Sequence, residues 1–592
     1  MTDHLTDRVT DKGTELTRGT CVYYTKTESV SPQSVAENMC AWVVGAPTDS
    51  KPATGVSKPS KMSPVQVLNY SYWSLMLPSV VSGSEIDSLL RDIECGVSIG
   101  RGPASEIVES ANWPSAYELK DEVTKVINAD LAAGKLYGPF STPPFSKYIV
   151  SPLGAFRKRD GIKVRVIHDL SFPKSSSVNS EIDPEDFSLK YSSVDCAVQA
   201  CRAYTAPYLA SVDLKDAYKA IGIDVNDWHL MGFKWAVQGS EQSYFFSKVL
   251  SFGLRSAPAL FDRFAQVLEL FMRHQGISSH IVRYVDDFLL ISESAPVAAE
   301  HLSIMIDVSR KAGFTIQDSK VIHACRELEF LGIIIDLDHG LLKISDERMK
   351  EVRDILSYWQ GQKVISKRRI LKIVGKLAFA ARVVRTGRAF LGRLISLAKS
   401  AKALNHRIRI SAAAKLDLDW WQRCLESHNG TCIMDTDWSV GHVSHIFTDA
   451  SDYGYGAVNG DEWLAVVYVG DQAFPRSLSI NWRELHAATK ALATWAPSLR
   501  GSRIMFHIDN TTACCVLNKL YSPVSQLMEL VRSWCILVEE YSLVVSVVYI
   551  STKDNTMADA LSRGDMDTFF GIHGGSARRV WPSGVAYFDD IV

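Results

Sequence analysis

The apolar pattern changes period several times along the chain, and each change predicts an element. The runs Ile281-Val282-Arg283 and Phe288-Leu289-Leu290-Ile291 have strand composition and flank Tyr284-Val285-Asp286-Asp287, so the two aspartates are predicted at a hairpin tip. A third run, Leu209-Ala210-Ser211-Val212, predicts a strand ending at Asp213. Upstream, residues to about Pro64 are rich in Thr, Ser, Lys and Pro with little periodicity and read as a leader or linker. From Tyr72 to Gly138 the spacing is helical, ending in Val123 to Leu131 with Gly134 as a stop signal. A hairpin follows, with arms Lys147 to Phe156 and Lys163 to Leu170 and Asp160-Gly161 as its turn. Beyond the Asp286 region come a short strand near Phe330-Leu331-Gly332, a helical stretch to Asp417-Leu418-Asp419-Trp420-Trp421, and a second α/β unit from about Ser444. That unit reads as strands at Ile446–Asp449, Gly456–Val458, Trp463–Tyr468, Arg503–Asp509 and Val544–Ile550, with helices at Asn481–Trp495 and from Thr556.

Composition narrows the class. With 592 residues, 46% of them hydrophobic and 22% charged, the chain has length for three or four domains. No apolar run is long enough to span a bilayer, and Met1-Thr2-Asp3-His4 lacks the basic-then-apolar order of a secretory signal, so the expected location is intracellular, cytoplasmic and/or nuclear, with no membrane partner. The 11 cysteines are scattered, without a zinc-knuckle spacing, and most read as small core residues, Cys514 and Cys515 included. The net charge of -2 conceals segregation: Gly361 to Lys415 holds 15 Lys plus Arg and no acid, leaving 64 - 15 = 49 basic against 66 acidic residues elsewhere. Lys367, Arg368, Arg369, Lys372, Lys376, Arg382, Arg385, Arg388 and Arg393 interleave with apolar residues at helical spacing, which predicts amphipathic helices whose single-signed face tracks a phosphate backbone.

Three carboxylates at one point repel unless divalent cations neutralise them, so Asp213, Asp286 and Asp287 imply two-metal phosphoryl transfer. In order and wording the surrounding motifs, over roughly Lys147 to Asp336, resemble the reverse transcriptases of retroelements and retroviruses. The resemblance implies a right-hand polymerase with fingers, palm and thumb, followed by a helical connection. It makes Asp213, Asp286 and Asp287 the metal-binding catalytic residues, and Tyr218 the aromatic gate that excludes a 2'-hydroxyl. Lys158 and Arg165 become the cations that close over the triphosphate. Phe252 and Gly253, in Phe-Gly-Leu-Arg-Ser-Ala-Pro, become the loop packing the templating base and the nucleotide. Lys320 would be the proton donor to pyrophosphate, and Leu331-Gly332 the primer grip. Ser251 stands where the family usually has a proline.

The second α/β unit carries Asp449 in Phe-Thr-Asp-Ala-Ser, Glu484 in Arg-Glu-Leu-His, Asp509 in His-Ile-Asp-Asn and Asp559 in Met-Ala-Asp-Ala-Leu-Ser-Arg. This order of strand, helix, strand, helix resembles ribonuclease H, whose four carboxylates hold two metals; Asp449 and Asp509 meet if their strands are central and adjacent. The family's frequent histidine before the last aspartate is absent from Ile550-Ser551-Thr552-Lys553-Asp554-Asn555, with Lys553 a candidate phosphate contact, while His486 and His507 read as ordinary helix and strand residues.

The implied organisation is a leader (1–64), a helical region leading into the fingers (65–140), fingers and palm (141–345), a basic thumb/connection (346–440), a ribonuclease H-like α/β domain (441–566) and a tail (567–592). The implied cofactors are two Mg2+ (or Mn2+) ions per active site. Implied partners are an RNA template, a DNA primer, RNA-DNA hybrid and deoxynucleoside triphosphates. Gly375-Lys376-Leu377, Gly387-Arg388-Ala389-Phe390, Asp417 to Trp421 and Asp509-Asn510-Thr511-Thr512 resemble DIRS-type retrotransposons, with gypsy-type elements and pararetroviruses next. No protease or zinc-binding integrase signature is present, so a separate tyrosine recombinase and particle proteins are expected. The competing expectation is a host-retained nucleic-acid-binding protein with weak or no catalysis, which predicts a lost carboxylate; all seven are present.

Overall fold

A computed structural model describes residues 64–157, 164–236, 242–427, 431–433, 442–467, 478–574 and 577–581. It is mixed α/β, as expected.

The predicted strands around the first three aspartates form a four-stranded antiparallel sheet in the order Ile322–Cys325, Tyr208–Asp213, Asp287–Ser292, His280–Tyr284. Phe288 to Ile291 are buried on both faces, which explains a continuous apolar run where a one-sided sheet would alternate. The helix Ala257–His274 takes Pro258 into its first turn and buries Phe261, Phe264, Leu268 and Phe271 at one-face spacing.

Upstream, the helical stretch is broken. Helices Tyr70–Met76, Ser84–Cys95 and Lys120–Ala132 are separated by loops and the strand Val108–Glu109, and Leu136–Phe140 is already extended. Gly96 stops the second helix in a left-handed conformation (φ +88°), where a Cβ would lie 2.3 Å from the Ile223 carbonyl carbon. The predicted hairpin forms between Leu153–Arg157 and Val164–His168, but the start of its first arm, Ile149–Val150, joins a five-stranded sheet instead. Pro152, which cannot donate to a ladder, marks the break. The Asp160-Gly161 turn lies outside the described residues.

The basic stretch is helical over Lys367–Ala380 and Gly392–Lys399, between helices Asp346–Gln360 and Ala412–Ser427. It also contains two short paired strands, Val364–Ser366 and Arg407–Arg409. Two of its sequence motifs prove to be packing devices. Gly387 lies so near the Trp421 indole that a Cβ would fall 2.3 Å from the ring, and Phe390 stacks on Trp420 at 3.9 Å.

The second α/β unit is a six-stranded sheet in the order Val544–Tyr549, Arg503–Ile508, Val443–Ala450, Gly454–Asn459, Glu462–Val467, Arg578–Arg579. Val443–Ala450 is central and runs parallel to its neighbour Arg503–Ile508, as convergence of Asp449 and Asp509 requires. The stretch set apart as a tail contains the helix Met566–His573, with Phe569 buried, and the edge strand Arg578–Arg579. One apolar core runs from Leu209 and Leu289 through the basic helices into this unit. Of the nine described cysteines only Cys201, Cys514 and Cys535 are buried; Cys515 is half-buried, and Cys95 and Cys196 are exposed. No described helix is long and apolar enough to cross a membrane.

Candidate active sites: two carboxylate clusters

Strand pairing builds the first site. Asp287 pairs with Tyr284 across the hairpin and with Asp213 across the next ladder, so the two carboxylates share a rung. Val285 and Asp286 form the turn, and Val285 adopts φ +56°, an uncommon conformation for a β-branched residue. Asp286 is tied to the neighbouring strand by its carbonyl, which accepts from the Leu214 amide at 3.0 Å. Burial, followed by its acidic neighbours, pushes the Asp287 carboxyl up to about 7, and burial together with Asp213 raises Asp286. Lys320 offsets part of this charge: its Nζ donates to Asp213 Oδ2 at 2.6 Å.

Beside the trio, the Tyr218 ring lies edge-on to Phe252 at 4.9 Å, and the Arg165 guanidinium sits 5.1 Å over the Phe252 ring. Gly253 (φ +108°) approaches His168 so closely that a Cβ would lie 2.3 Å from its carbonyl oxygen. Thus Arg165, Tyr218, Phe252 and Gly253 come together, whereas Lys158 lies outside the described residues. Leu331 (φ +51°) and Gly332 (φ +84°) form a two-residue turn on a separate small sheet, and Arg348 Nη1 donates to the Gly332 carbonyl at 3.1 Å.

Three residues were missed by sequence reasoning. Asn179 clamps the Gly253 loop, donating to the Gly253 carbonyl at 2.7 Å and accepting from the Arg255 amide at 2.8 Å. Tyr191 lies 5.2 Å from the Tyr284 ring, and Arg348 braces the Leu331-Gly332 turn. The Asn179 partners are more than 70 residues away, and no local pattern signals them.

In the second site, ligand oxygens of Asp449, Glu484 and Asp509 all lie within 4.8 Å of one another. Among the described residues this is the one group of three that does so. The Glu484 carboxyl is pushed up to about 9 by burial and then by Asp449 and Asp509, and that of Asp449 to about 6, mainly by burial. Glu484 Oε2 is buried without a hydrogen-bond partner. An orphaned carboxylate oxygen among acids is the donor set that a hard divalent cation satisfies. Asp509 accepts from Thr552 Oγ1 at 2.9 Å. Asp559 does not join the three: both its oxygens are gripped by Arg563 at 2.8 to 3.0 Å. In the histidine-free loop, Asn555 is buried and donates to the Thr448 carbonyl at 2.9 Å, and Lys553 is exposed. His486 stacks on Trp482, and His507 hydrogen-bonds His445 at 2.9 Å; neither enters the cluster.

Of the fifteen cations between Gly361 and Lys415, Lys367, Lys376 and Arg393 are half-buried and the other twelve exposed. Arg393 departs from the expected outer face. It pairs with the fully buried Asp417 at 2.9 Å and with Glu529 at 2.7 Å, and Arg532 pairs with Glu529 at 3.0 Å. A buried carboxylate needs a counter-cation more than the surface does, so Arg393 joins the basic helices to the helix Ser525–Glu540.

Residues 169–335 match the family model "Reverse transcriptase (RNA-dependent DNA polymerase)". The chain is 22% identical over 376 residues to the retrovirus-related Pol polyprotein from transposon opus of Drosophila melanogaster, an alignment covering 60% of this chain and 34% of that one. It is 24% identical over 250 residues to the Gag-Pro-Pol polyprotein of mouse mammary tumor virus (strain BR6), covering 41% and 13%. With the Tf2-3 transposon polyprotein of Schizosaccharomyces pombe it shares 22% over 361 residues, covering 60% and 25%. The chain thus spans a third or less of the length of these relatives. Among solved structures, the foamy viral protease-reverse transcriptase dRH with double-stranded DNA aligns with a TM-score of 0.46 at 16% identity, over 84% of each chain. The foamy viral protease-reverse transcriptase with RNA/DNA hybrid gives 0.45 at 16%, over 84% of this chain and 64% of that one. A reverse transcriptase domain thus spans residues 169–335, and that match covers the sheet holding Asp213, Asp286 and Asp287.

Proposed function

We propose that this chain copies RNA, and then DNA, into DNA at the Asp213 site and breaks the RNA strand of the resulting hybrid at the Glu484 site. The observation that carries the reading is the Asp213–Asp287 rung beside Asp286, on the strands inside the reverse transcriptase match. Asp213, Asp286 and Asp287 would hold two Mg2+ or Mn2+ ions, which would supply Lewis acidity for attack by the 3'-hydroxyl and departure of pyrophosphate. Tyr218 fills the space under the sugar, where a 2'-hydroxyl would meet its ring. Arg165, anchored over Phe252, faces the triphosphate, and Lys158 is the second cation assigned to that clamp. Lys320, already beside Asp213, has a proton on Nζ for the pyrophosphate oxygen. Gly253, fixed by Asn179, lets the backbone approach the nascent pair, and Leu331-Gly332, braced by Arg348, presents the primer end.

Asp449, Glu484 and Asp509 would hold the ions of the nuclease, with Asp559 as a fourth ligand once released by Arg563. The twelve exposed cations between Gly361 and Lys415 follow the phosphate backbones of the hybrid, a contact that reads shape and charge rather than sequence. The source is a DIRS-type element working inside the cell, in cytoplasm and/or nucleus, with a separate recombinase and particle proteins. The motifs that carry this subgroup reading, Gly387 to Phe390 and Asp417 to Trp421, pack on one another.

Primer extension on an RNA template with Mg2+ and deoxynucleoside triphosphates tests the reading. Extension by the wild type and none by Asp286→Asn supports it. No extension by a folded wild type, with Mn2+ also supplied, favours a retained binding protein instead.

A further inference from the structure

Next to the nuclease carboxylates lies a cleft of about 460 Å³ whose lining includes Ser451, Asp452, Tyr453, Arg483 and Arg563. Its walls are tied together: Ser451, itself buried, donates to the Ser562 carbonyl at 2.7 Å and accepts from the Tyr453 amide at 3.0 Å. That bond holds the loop after Asp449 against the end of the helix Thr556–Arg563. Two arginines reach this space from different elements, and each is matched to a carboxylate: Arg483, buried, with the exposed Asp452, and Arg563, half exposed, with Asp559. Tyr453, a large aromatic residue, is 61% exposed at the cleft.

We propose that this cleft is a subsite for one nucleotide of the cleaved strand, with Arg563 exchanging Asp559 for a phosphate and Tyr453 packing against the adjoining ribose. The inference rests on the nuclease reading. Carboxylate and phosphate present the same pair of oxygens to a guanidinium fork, so one arginine serves either partner with little change of geometry. Asp559 held by Arg563 is withheld from Asp449, Glu484 and Asp509. Asp559 released by an arriving phosphate completes the acidic set at the moment substrate is present. Arg563 is therefore a positioning residue that links occupation of the cleft to assembly of the ion site, and Arg483 fixes a second positive charge at the cleft wall. A contact to phosphate and ribose carries no sequence preference, as a nuclease that degrades a whole transcript requires.

The test uses the full chain in two assays. In the first, Mn2+ is titrated without nucleic acid and followed by electron paramagnetic resonance, in an Asp286→Asn background that weakens ion binding at the other site. Arg563→Gln should lower the half-saturating Mn2+ concentration by about tenfold, because Asp559 is no longer held elsewhere. In the second assay, hybrid cleavage by Arg563→Gln should show KM raised by about tenfold through loss of a charge-assisted contact. Tyr453→Ala should raise KM by about fivefold and leave the Mn2+ midpoint in place. A helix-stabilising pair alone would lower Tm and move neither readout. Unchanged Mn2+ binding and unchanged KM in Arg563→Gln would overturn the inference while leaving the nuclease reading intact. Absence of cleavage by the wild type would strike the nuclease reading itself.

Discussion

The two carboxylate clusters handle the same electrostatic difficulty differently. At the Asp213 site the acids are spread over a strand end and a turn, and an ammonium is built in: Lys320 stands 2.6 Å from Asp213. At the Glu484 site the three acids are drawn within 4.8 Å, one oxygen has no partner, and the nearby arginine is spent on Asp559. Burial and mutual repulsion raise acids in both clusters, and Lys320 offsets part of the charge at the first. The acids of the second are pushed up to about 6 and about 9, whereas Asp287 reaches about 7. An acidic site without an ammonium of its own therefore leans more heavily on an incoming cation than one that has it.

The strongest way to break this contrast is to neutralise one acid in each cluster. Asp286→Asn should reduce DNA synthesis, and Glu484→Gln hybrid cleavage, each by about a thousandfold or more, as expected when a main electrostatic partner of the transition state is lost. Lys320→Ala should slow synthesis by about a hundredfold, the scale of a lost general acid, and leave cleavage unchanged; single-turnover kinetics distinguishes the two.

The comparison sharpens with pH in a chelator. Glu484 in the fold keeps a proton that the unfolded chain releases near 4.5, so stability is full below that value and falls as pH rises towards about 9. The corresponding fall from Asp287 runs from 3.8 to about 7. Melting curves should thus show a loss continuing above pH 7 that Glu484→Gln removes, and adding Mg2+ should flatten it.

A smaller effect separates the cations. Arg393→Leu should cost about 2 kcal/mol of stability by removing the closer of the two cations facing buried Asp417, Arg532 remaining at 3.5 Å, measured by urea unfolding, with little change in the salt dependence of hybrid binding. Arg385→Ala or Arg388→Ala should do the reverse, each lowering the slope of log affinity against log salt by about 1.

Much of this was legible in local patterns. The Tyr284–Asp287 hairpin, the strand ending at Asp213 and the strands and helices of the second α/β unit follow from apolar runs a few residues long, and the structure places them where those runs predict. What the sequence withheld depends on distant partners. Arg393 reads as one more cation on a basic face, because Asp417 and Glu529, which claim it, lie 24 and 136 residues away. Asn179 and Tyr191 carry no periodic signal. Asp559 reads as a fourth ligand by its wording, and only three-dimensional placement shows that Arg563 holds it. The first arm of the Lys147 to Leu170 hairpin was divided between two sheets at Pro152, whose effect on pairing outweighs the β-propensity around it.

The central claim is that one chain holds two separable ion-dependent sites. The most direct measurement follows a labelled primer and a differently labelled RNA template in one reaction with Mg2+, comparing wild type, Asp286→Asn and Glu484→Gln. The account predicts both signals in wild type, template breakage of a preformed hybrid without primer growth in Asp286→Asn, and primer growth on an intact template in Glu484→Gln. Loss of both signals in either well-folded variant, or retention of the targeted one, would contradict it.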